Sequence, residues 1–327
     1  MVHDLFVQRG NIYSDRSVPH AVKYAMRDIS PAIMPKNASW RRQRRLLHAA
    51  ISTSVNESYE AGMREEAVLA VRELLASPGA FDCHFQRYSY GVIGRCFFGL
   101  RVAAADDAFV VENEAYINTT MRGFDPVAFP VNVFPWLAYL PRWLVPSLKE
   151  MEELRALNDE RVGNLARDVK RQNKGGVKLA QGGIFNEFLK NRADYDVSDE
   201  EANSAFFALI GGGTRSMHNA LLTFVYLMMA YPDWQTKLQA HIDDVVSPDR
   251  LPTWADMPNL PMVRAVVKEG IRYRTIVAEL GIPHRLSQDD EYMGWKFEKG
   301  TTFHANYGYA LYLTHKYALV LLASDCD

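Results

Sequence analysis

The chain has 327 residues, 48% of them hydrophobic and 23% charged, with a formal net charge of −2. That length and composition suit one large globular domain or two ordinary ones. The near-neutral charge excludes a global drive toward nucleic acid or acidic membranes. The cysteines, Cys83, Cys96 and Cys326, are an odd and unpatterned set. They read as free thiols in a reducing compartment rather than a disulfide framework or a Cys-type metal site.

The opening "MVHDLFVQRG" has no basic stretch followed by an apolar one, so no secretory signal is expected. In "WRRQRR", Arg41, Arg42, Arg44 and Arg45 make a local basic patch, which is ordinarily a solvated face. Trp40 and Arg44, however, stand four residues apart. An indole donor and a guanidinium fork on one helix face could grip a single carboxylate. Residues 55–76 and 147–171 combine charged faces with recurrent apolar positions and are predicted as surface helices. Between them Pro126, Pro130, Pro135, Pro141 and Pro146 break an apolar segment, as in a loop folded over a cavity or a connection between domains. The glycine-rich stretch 172–183 is predicted as an exposed loop.

Ser198 and Glu201 have capping-box spacing and predict a helix from near Asp199 to about Ala230. Within it lies "GGGTRSM", whose three glycines, Gly211, Gly212 and Gly213, each cost a helix roughly 1 kcal/mol relative to Ala. Phosphate loops follow a strand, and here a capped helix comes first, so that reading is excluded. At helical spacing Ala208, Gly212 and Ser216 form a strip almost without side chains. Another helix or a flat ligand can lie against it, helix packing being the commoner of the two. The apolar run 220–230 is too short for a bilayer, which needs about 20 residues.

Pro232 is predicted to begin the next helix, and residues 259–274 the one after it. There Glu269 and Arg272 share a face, and the flanking Val266, Val267 and Ile271 predict a largely buried helix carrying a buried ion pair. His218 and His241 lack metal-ligand spacing and read as structural. Residues 288–291 read as a solvated turn, and Met293–Gly294 as the turn of a hairpin. Beyond Asn306 neither caps nor a helical period are evident.

Taken in order, "IYSDR", "WRRQRR", "GGTRSM", "KEGIR" and "GIPHRLSQDDEYMGWKFEKGTTFHAN" resemble the heme-thiolate monooxygenases, the cytochrome P-450 family. The phrasing is most similar to fungal microsomal, O-methylsterigmatocystin oxidoreductase-like members. The resemblance covers about 2–306 and implies a mainly α fold with a small β component. On this reading the chain is an incomplete cytochrome P-450 fold over residues 1–306, followed by a divergent tail at 307–327. It implies a heme cofactor, with Trp40, Arg44 and Arg285 on the propionates and Gly212 and Ser216 lining the distal face. Ser216 keeps a hydroxyl for bound dioxygen, whereas Arg215 takes the place of the family's proton-relay acid and has no exchangeable protonation state. Glu269 and Arg272 become a structural pair that anchors the core.

The resemblance further implies oxidation of a small apolar substrate with electrons from an NADPH-cytochrome reductase. Full-length relatives are anchored in the endoplasmic reticulum membrane by an N-terminal helix. Without that helix this chain is expected to be soluble and cytoplasmic. The family's Phe-x-x-Gly-x-Arg-x-Cys run, whose thiolate ligates iron, has no match, so no metal ligand is assigned and Cys326 is not taken as one. The expectation is a truncated, inactive form. The alternative is a non-catalytic helical ligand-binding or interaction protein that retains the scaffold.

Overall fold

Helix follows helix along most of the chain in the computed structural model, which describes residues 2–26, 29–51, 53–174, 184–276 and 282–306. The helices are α1 (His20–Ala25), α2 (Ala38–Ala50), α3 (Thr53–Ala76), α4 (Phe81–Ile93), α5 (Ala108–Arg122), α6 (Pro146–Lys174), α7 (Ile184–Lys190), α8 (Asp199–Ala230), α9 (Pro232–Val245) and α10 (Pro261–Tyr273). The strands are β1 (Asp15–Arg16), β2 (His284–Arg285), β3 (Asp290–Tyr292), β4 (Trp295–Phe297) and β5 (Thr302–Phe303). The fold is mainly α with a small β component, as the resemblance implies.

Two compact units divide the chain: Met1–Glu66, Tyr90–Thr214 and Ile282–Phe303 form the first, and Ala67–Ser89, Arg215–Gly281 and His304–Asp327 the second. The first unit holds the main aromatic core. Phe206 of α8 meets Phe185 of α7 edge-on at 4.8 Å between centroids, and Phe98 packs on Phe185 at 5.6 Å. Such pairs add about 0.5–1.5 kcal/mol each beyond the area they bury. The Pro-rich stretch belongs to this unit. Its prolines open short 3-10 turns at Pro130–Asn132 and Pro135–Tyr139, and Phe129, Val131 and Val145 pack with Leu148 and Met151 in a satellite cluster. The predicted loop at 172–183 is helical as far as Lys174, and 175–183 lie outside the described residues.

The β component joins distant parts of the chain. β2 pairs antiparallel with both β1 and β5, placing Asp15 opposite Arg285 and His284 opposite Phe303. β3 and β4 form the predicted hairpin, with Tyr292 opposite Trp295. Met293 and Gly294 have φ of 55° and 82°, the paired positive values of a type I′ turn. Residues 288–291 are not simply a solvated turn, however. Asp290 accepts from Arg9 at 2.6 Å and from the buried Tyr13 hydroxyl at 2.9 Å, tying the hairpin to the start of the chain. Burial pushes the Tyr13 phenol up to about 12, so it stays a donor throughout the working pH range.

Candidate functional site

Helix α2 starts where the Asn37 side chain accepts from the Trp40 N–H at 2.8 Å, an N-cap that satisfies an otherwise orphaned donor. Its inward face carries Gln43, fully buried, whose amide donates to the Ile29 carbonyl at 2.8 Å, and Leu46, buried in the main core. The face turned away holds Trp40, half-buried, and Arg44, exposed, one turn apart. Arg41 and Arg45 are exposed beside them, so most of the basic patch is a solvated face. Arg42 is the exception.

The Arg42 guanidinium donates to Glu201 through Nη2 at 2.5 Å and Nε at 3.3 Å, and the Ser39 hydroxyl donates to the same carboxylate. Glu201 is also the third residue of α8. It accepts from the Ser198 N–H at 2.9 Å, while its own N–H donates to Ser198 Oγ at 3.1 Å, completing the predicted capping box. One carboxylate therefore caps α8 and pins α2 to it. Arg42, together with the Ser39 and Ser198 donors, outweighs the effect of burial and holds the Glu201 carboxyl down to about 2. Sequence spacing showed the cap; the clamp, between residues 159 apart, left no local signal.

The three glycines of α8 meet different surroundings. A Cβ on Gly213 would stand 2.6 Å from Ile93 Cδ1 and 3.2 Å from Cγ1, so this glycine lets α4 approach closely. Among the described residues a Cβ on Gly211 or Gly212 would meet nothing within 4 Å. Helix packing thus explains Gly213, not the Ala208–Gly212–Ser216 strip on which the sequence reading placed it. Next along α8, Thr214 is fully buried and its hydroxyl bonds back to the Ile210 carbonyl at 2.7 Å. Arg215 and Ser216 are half-buried, with Ser216 one turn beyond Gly212. His218 bonds Asp82 at 3.0 Å, the structural role expected of it.

Arg285 lies on β2, where Asp15 engages its guanidinium at 2.9 Å from Nε and 2.7 Å from Nη2. The sequence reading, which directed this fork toward a propionate, missed its protein carboxylate because the partner lies 270 residues away. Glu269 and Arg272 do pair, with Nε to Oε2 at 2.7 Å. Their helix is not buried as predicted: no residue of α10 is buried, Val267 and Ile271 are 53% and 47% exposed, and the Glu269 side chain is 56% exposed. The apolar side of α10 borders an open groove beside α8 rather than a closed core, so the pair sits in water-accessible surroundings.

Among the described residues no cluster of three or more His, Cys, Asp or Glu could hold a metal, and no helix is long and apolar enough to cross a membrane. Cys83 is exposed, whereas Cys96 is buried and burial pushes its thiol up to about 12. Cys96 is therefore a poor source of a thiolate. Cys326 lies outside the described residues.

A long glycine-bearing central helix, a Trp-x-x-x-Arg helix clamped to its start and a Glu-x-x-Arg helix followed by a small antiparallel sheet together define a heme-monooxygenase scaffold. The family model for cytochrome P450 matches residues 1–314, and the chain belongs to that family. It is 48% identical over 306 residues to cytochrome P450 monooxygenase psoD of Aspergillus fumigatus, covering 92% of this chain and 58% of the relative. It is 30% identical over 313 residues to cytochrome P450 monooxygenase COX2 of Coprinopsis cinerea, covering 93% of this chain and 59% of that relative. The chain thus spans less than two thirds of the length of these curated relatives. A zebra fish cytochrome P450 solved with progesterone superposes with a TM-score of 0.75 at 21% identity, covering 95% of this chain and 72% of that one. A second zebra fish cytochrome P450 structure, with abiraterone, gives 0.72 at 20% identity, covering 95% and 70%. At this identity the likeness concerns the fold.

The family implies a heme cofactor, and the residues present fit one. Among the described residues, Gly211 and Gly212 leave an open helix surface, room of the kind a flat group would need. The exposed Arg44 guanidinium and the Trp40 indole supply donors of the kind a carboxylate requires.

Proposed function

We propose that this chain supplies the heme-cradling part of a cytochrome P450 monooxygenase acting on a small apolar substrate. Bound heme supplies the activation of dioxygen for insertion of one oxygen atom. The protein's share is placement. Trp40 Nε1–H and the Arg44 fork would donate to the propionates, and the Glu201 clamp keeps α2 and the start of α8 in fixed register. Gly211 and Gly212 would admit a flat group, and the Ser216 hydroxyl, one turn on, would offer a hydrogen-bond donor beside it. Arg285, already engaged by Asp15, shares its fork between that carboxylate and a propionate.

Arg215 stands where relatives carry an acid. A guanidinium remains charged at any working pH, so it holds a fixed positive charge and passes no proton. The sequence also contains no Phe-x-x-Gly-x-Arg-x-Cys run. The polypeptide by itself therefore binds heme weakly and does not complete monooxygenation. An NADPH-cytochrome reductase is the redox partner this reading implies, and microsomal attachment belongs to full-length relatives.

The observation that carries the reading is the open face of Gly211 and Gly212. Each glycine costs the helix roughly 1 kcal/mol relative to Ala, and among the described residues nothing lies within 4 Å of an added Cβ. On this reading a group from outside the chain lies against that face. Gly212→Ala should stabilise the heme-free protein by about 1 kcal/mol in urea unfolding. Gly212→Leu should keep the helical circular dichroism yet weaken heme binding at least tenfold in a spectrophotometric titration. Equal heme affinity of Gly212→Leu and the parent would refute the assignment.

A further inference from the structure

We infer that Ser247 is a phosphorylation site for a proline-directed serine/threonine kinase, which reads Arg250 once that guanidinium has left Asp256. The site lies in the second unit and owes nothing to the heme reading.

The sequence holds three Ser-Pro pairs, at Ser30, Ser77 and Ser247. Their surroundings differ. Ser30 is 5% exposed and is followed by Ala32 and Ile33, so its hydroxyl is out of an enzyme's reach. Ser77 is exposed but fixed between α3 and the 3-10 turn Pro78–Ala80. Its Oγ stands 2.9 Å from His84 Nε2, its carbonyl accepts from the Ala80 N–H at 3.0 Å, and no cation follows within three residues. Ser247 is exposed in the irregular stretch between α9 and the 3-10 helix Trp254–Asn259, with Pro248 next and Arg250 three positions on. A proline beside the acceptor serine brings no N–H for a kinase cleft to satisfy. An arginine three residues on offers a fork to an anionic group of the enzyme, the kind of charge pattern by which kinases choose substrates.

Among the described residues the Ser247 hydroxyl makes only long contacts. Its separations from Asp249 Oδ2 and from the Asp249 N–H are both 3.4 Å, beyond the usual hydrogen-bond range. The Arg250 N–H closes a turn on the Ser247 carbonyl at 3.2 Å, with Pro248 in the second position that suits it. Opening that turn would extend the segment into a cleft. What restrains it is the Arg250 side chain, whose two terminal nitrogens donate to Asp256 at 2.7 Å each. That side chain is 43% exposed, so water can take over its bonds. Asp256 is not left bare when the guanidinium departs. It still accepts from the Thr253 N–H at 2.7 Å and the Thr253 hydroxyl at 2.9 Å, within the capping box of the 3-10 helix. The pair is therefore a latch that opens without unmaking the elements it joins.

In the transfer, Ser247 Oγ attacks the γ-phosphorus of ATP held by the kinase. The Oγ–P bond forms as the bond to the β,γ-bridging oxygen breaks, ADP leaves, and the hydroxyl proton passes to the kinase's carboxylate base. The new charge, about −1.5 to −2, stands in one turn with Asp249, which repels it, and Arg250, which attracts it. Both effects favour the open latch.

The test incubates the full 327-residue chain, without heme, with ATP and a purified cyclin-dependent kinase, and locates the phosphate by peptide mass spectrometry. The expected result is labelling at Ser247 in preference to Ser30 and Ser77, abolished by Ser247→Ala. Arg250→Gln should slow it about tenfold and Arg250→Lys should restore it, because the kinase needs the cation. Asp256→Asn, which keeps an acceptor for Thr253 but releases Arg250, should speed it about threefold. Circular dichroism of each variant is compared with the parent first. Absence of phosphate at Ser247, preferential labelling of Ser30 or Ser77, or a rate indifferent to Arg250→Gln would overturn the assignment. An unchanged or slower rate in Asp256→Asn would overturn the latch.

Discussion

Glu201 ties the start of α8 to α2. Its carboxylate completes the α8 cap and receives Arg42 and Ser39 of α2. With its carboxyl held at about 2, below the ordinary glutamate value of 4.5, the native state favours the ionised form. The stabilisation is fully present above the unfolded value and is lost as pH falls through the folded one. Arg42 keeps 30% of its side chain exposed, so solvent screening reduces the contribution to about 2 kcal/mol. Glu201→Gln should therefore lower unfolding free energy by about 2 kcal/mol at pH 7. The gap from the parent should close progressively from about pH 4.5 to pH 2 in urea titrations. A gap independent of pH would show that the clamp works by shape rather than charge. The cap was legible because its partners lie three residues apart. Arg42 and Glu201 were not legible as a pair, since any of several arginines in "WRRQRR" could have faced inward.

At the scale of elements, local rules were read well and packing poorly. Cap and proline signals placed the starts of α8 and α9, because helix termini are satisfied by nearby residues. The Met293–Gly294 hairpin was legible for the same reason, although Met at φ 55° is a costly choice for the first turn position. Met293→Asn should stabilise the protein by about 0.5–1 kcal/mol, since Asn tolerates the left-handed region and Met293 is 80% exposed with little burial to lose. Thermal unfolding followed by circular dichroism checks this, and a lower midpoint would contradict it. By contrast, the apolar period of α10 predicted burial that does not occur. Periodicity identifies the face that seeks a partner but not whether one is present. The glycines of α8 show the same limit from the other side. Three identical residues in a row conceal one close helix contact and two open positions.

Across the whole molecule, family membership was legible from the order of the motifs, each of them weak alone. The matched span of 1–314 is the global counterpart of that order. What the motifs could not reveal was how much of the scaffold each one holds. Arg285 is engaged by Asp15, and Glu269 with Arg272 sits on an exposed helix. These scales meet in a chain of the cytochrome P450 family for which a heme seat without thiolate ligation is proposed. Cys96, the buried cysteine, is held protonated, and no cysteine in the sequence has the family's loop around it. The most direct measurement is the absorption spectrum of the purified chain, loaded with heme, reduced and exposed to carbon monoxide. The account predicts a Soret band without the red shift that a thiolate ligand produces. A strongly red-shifted band at full heme occupancy would contradict it.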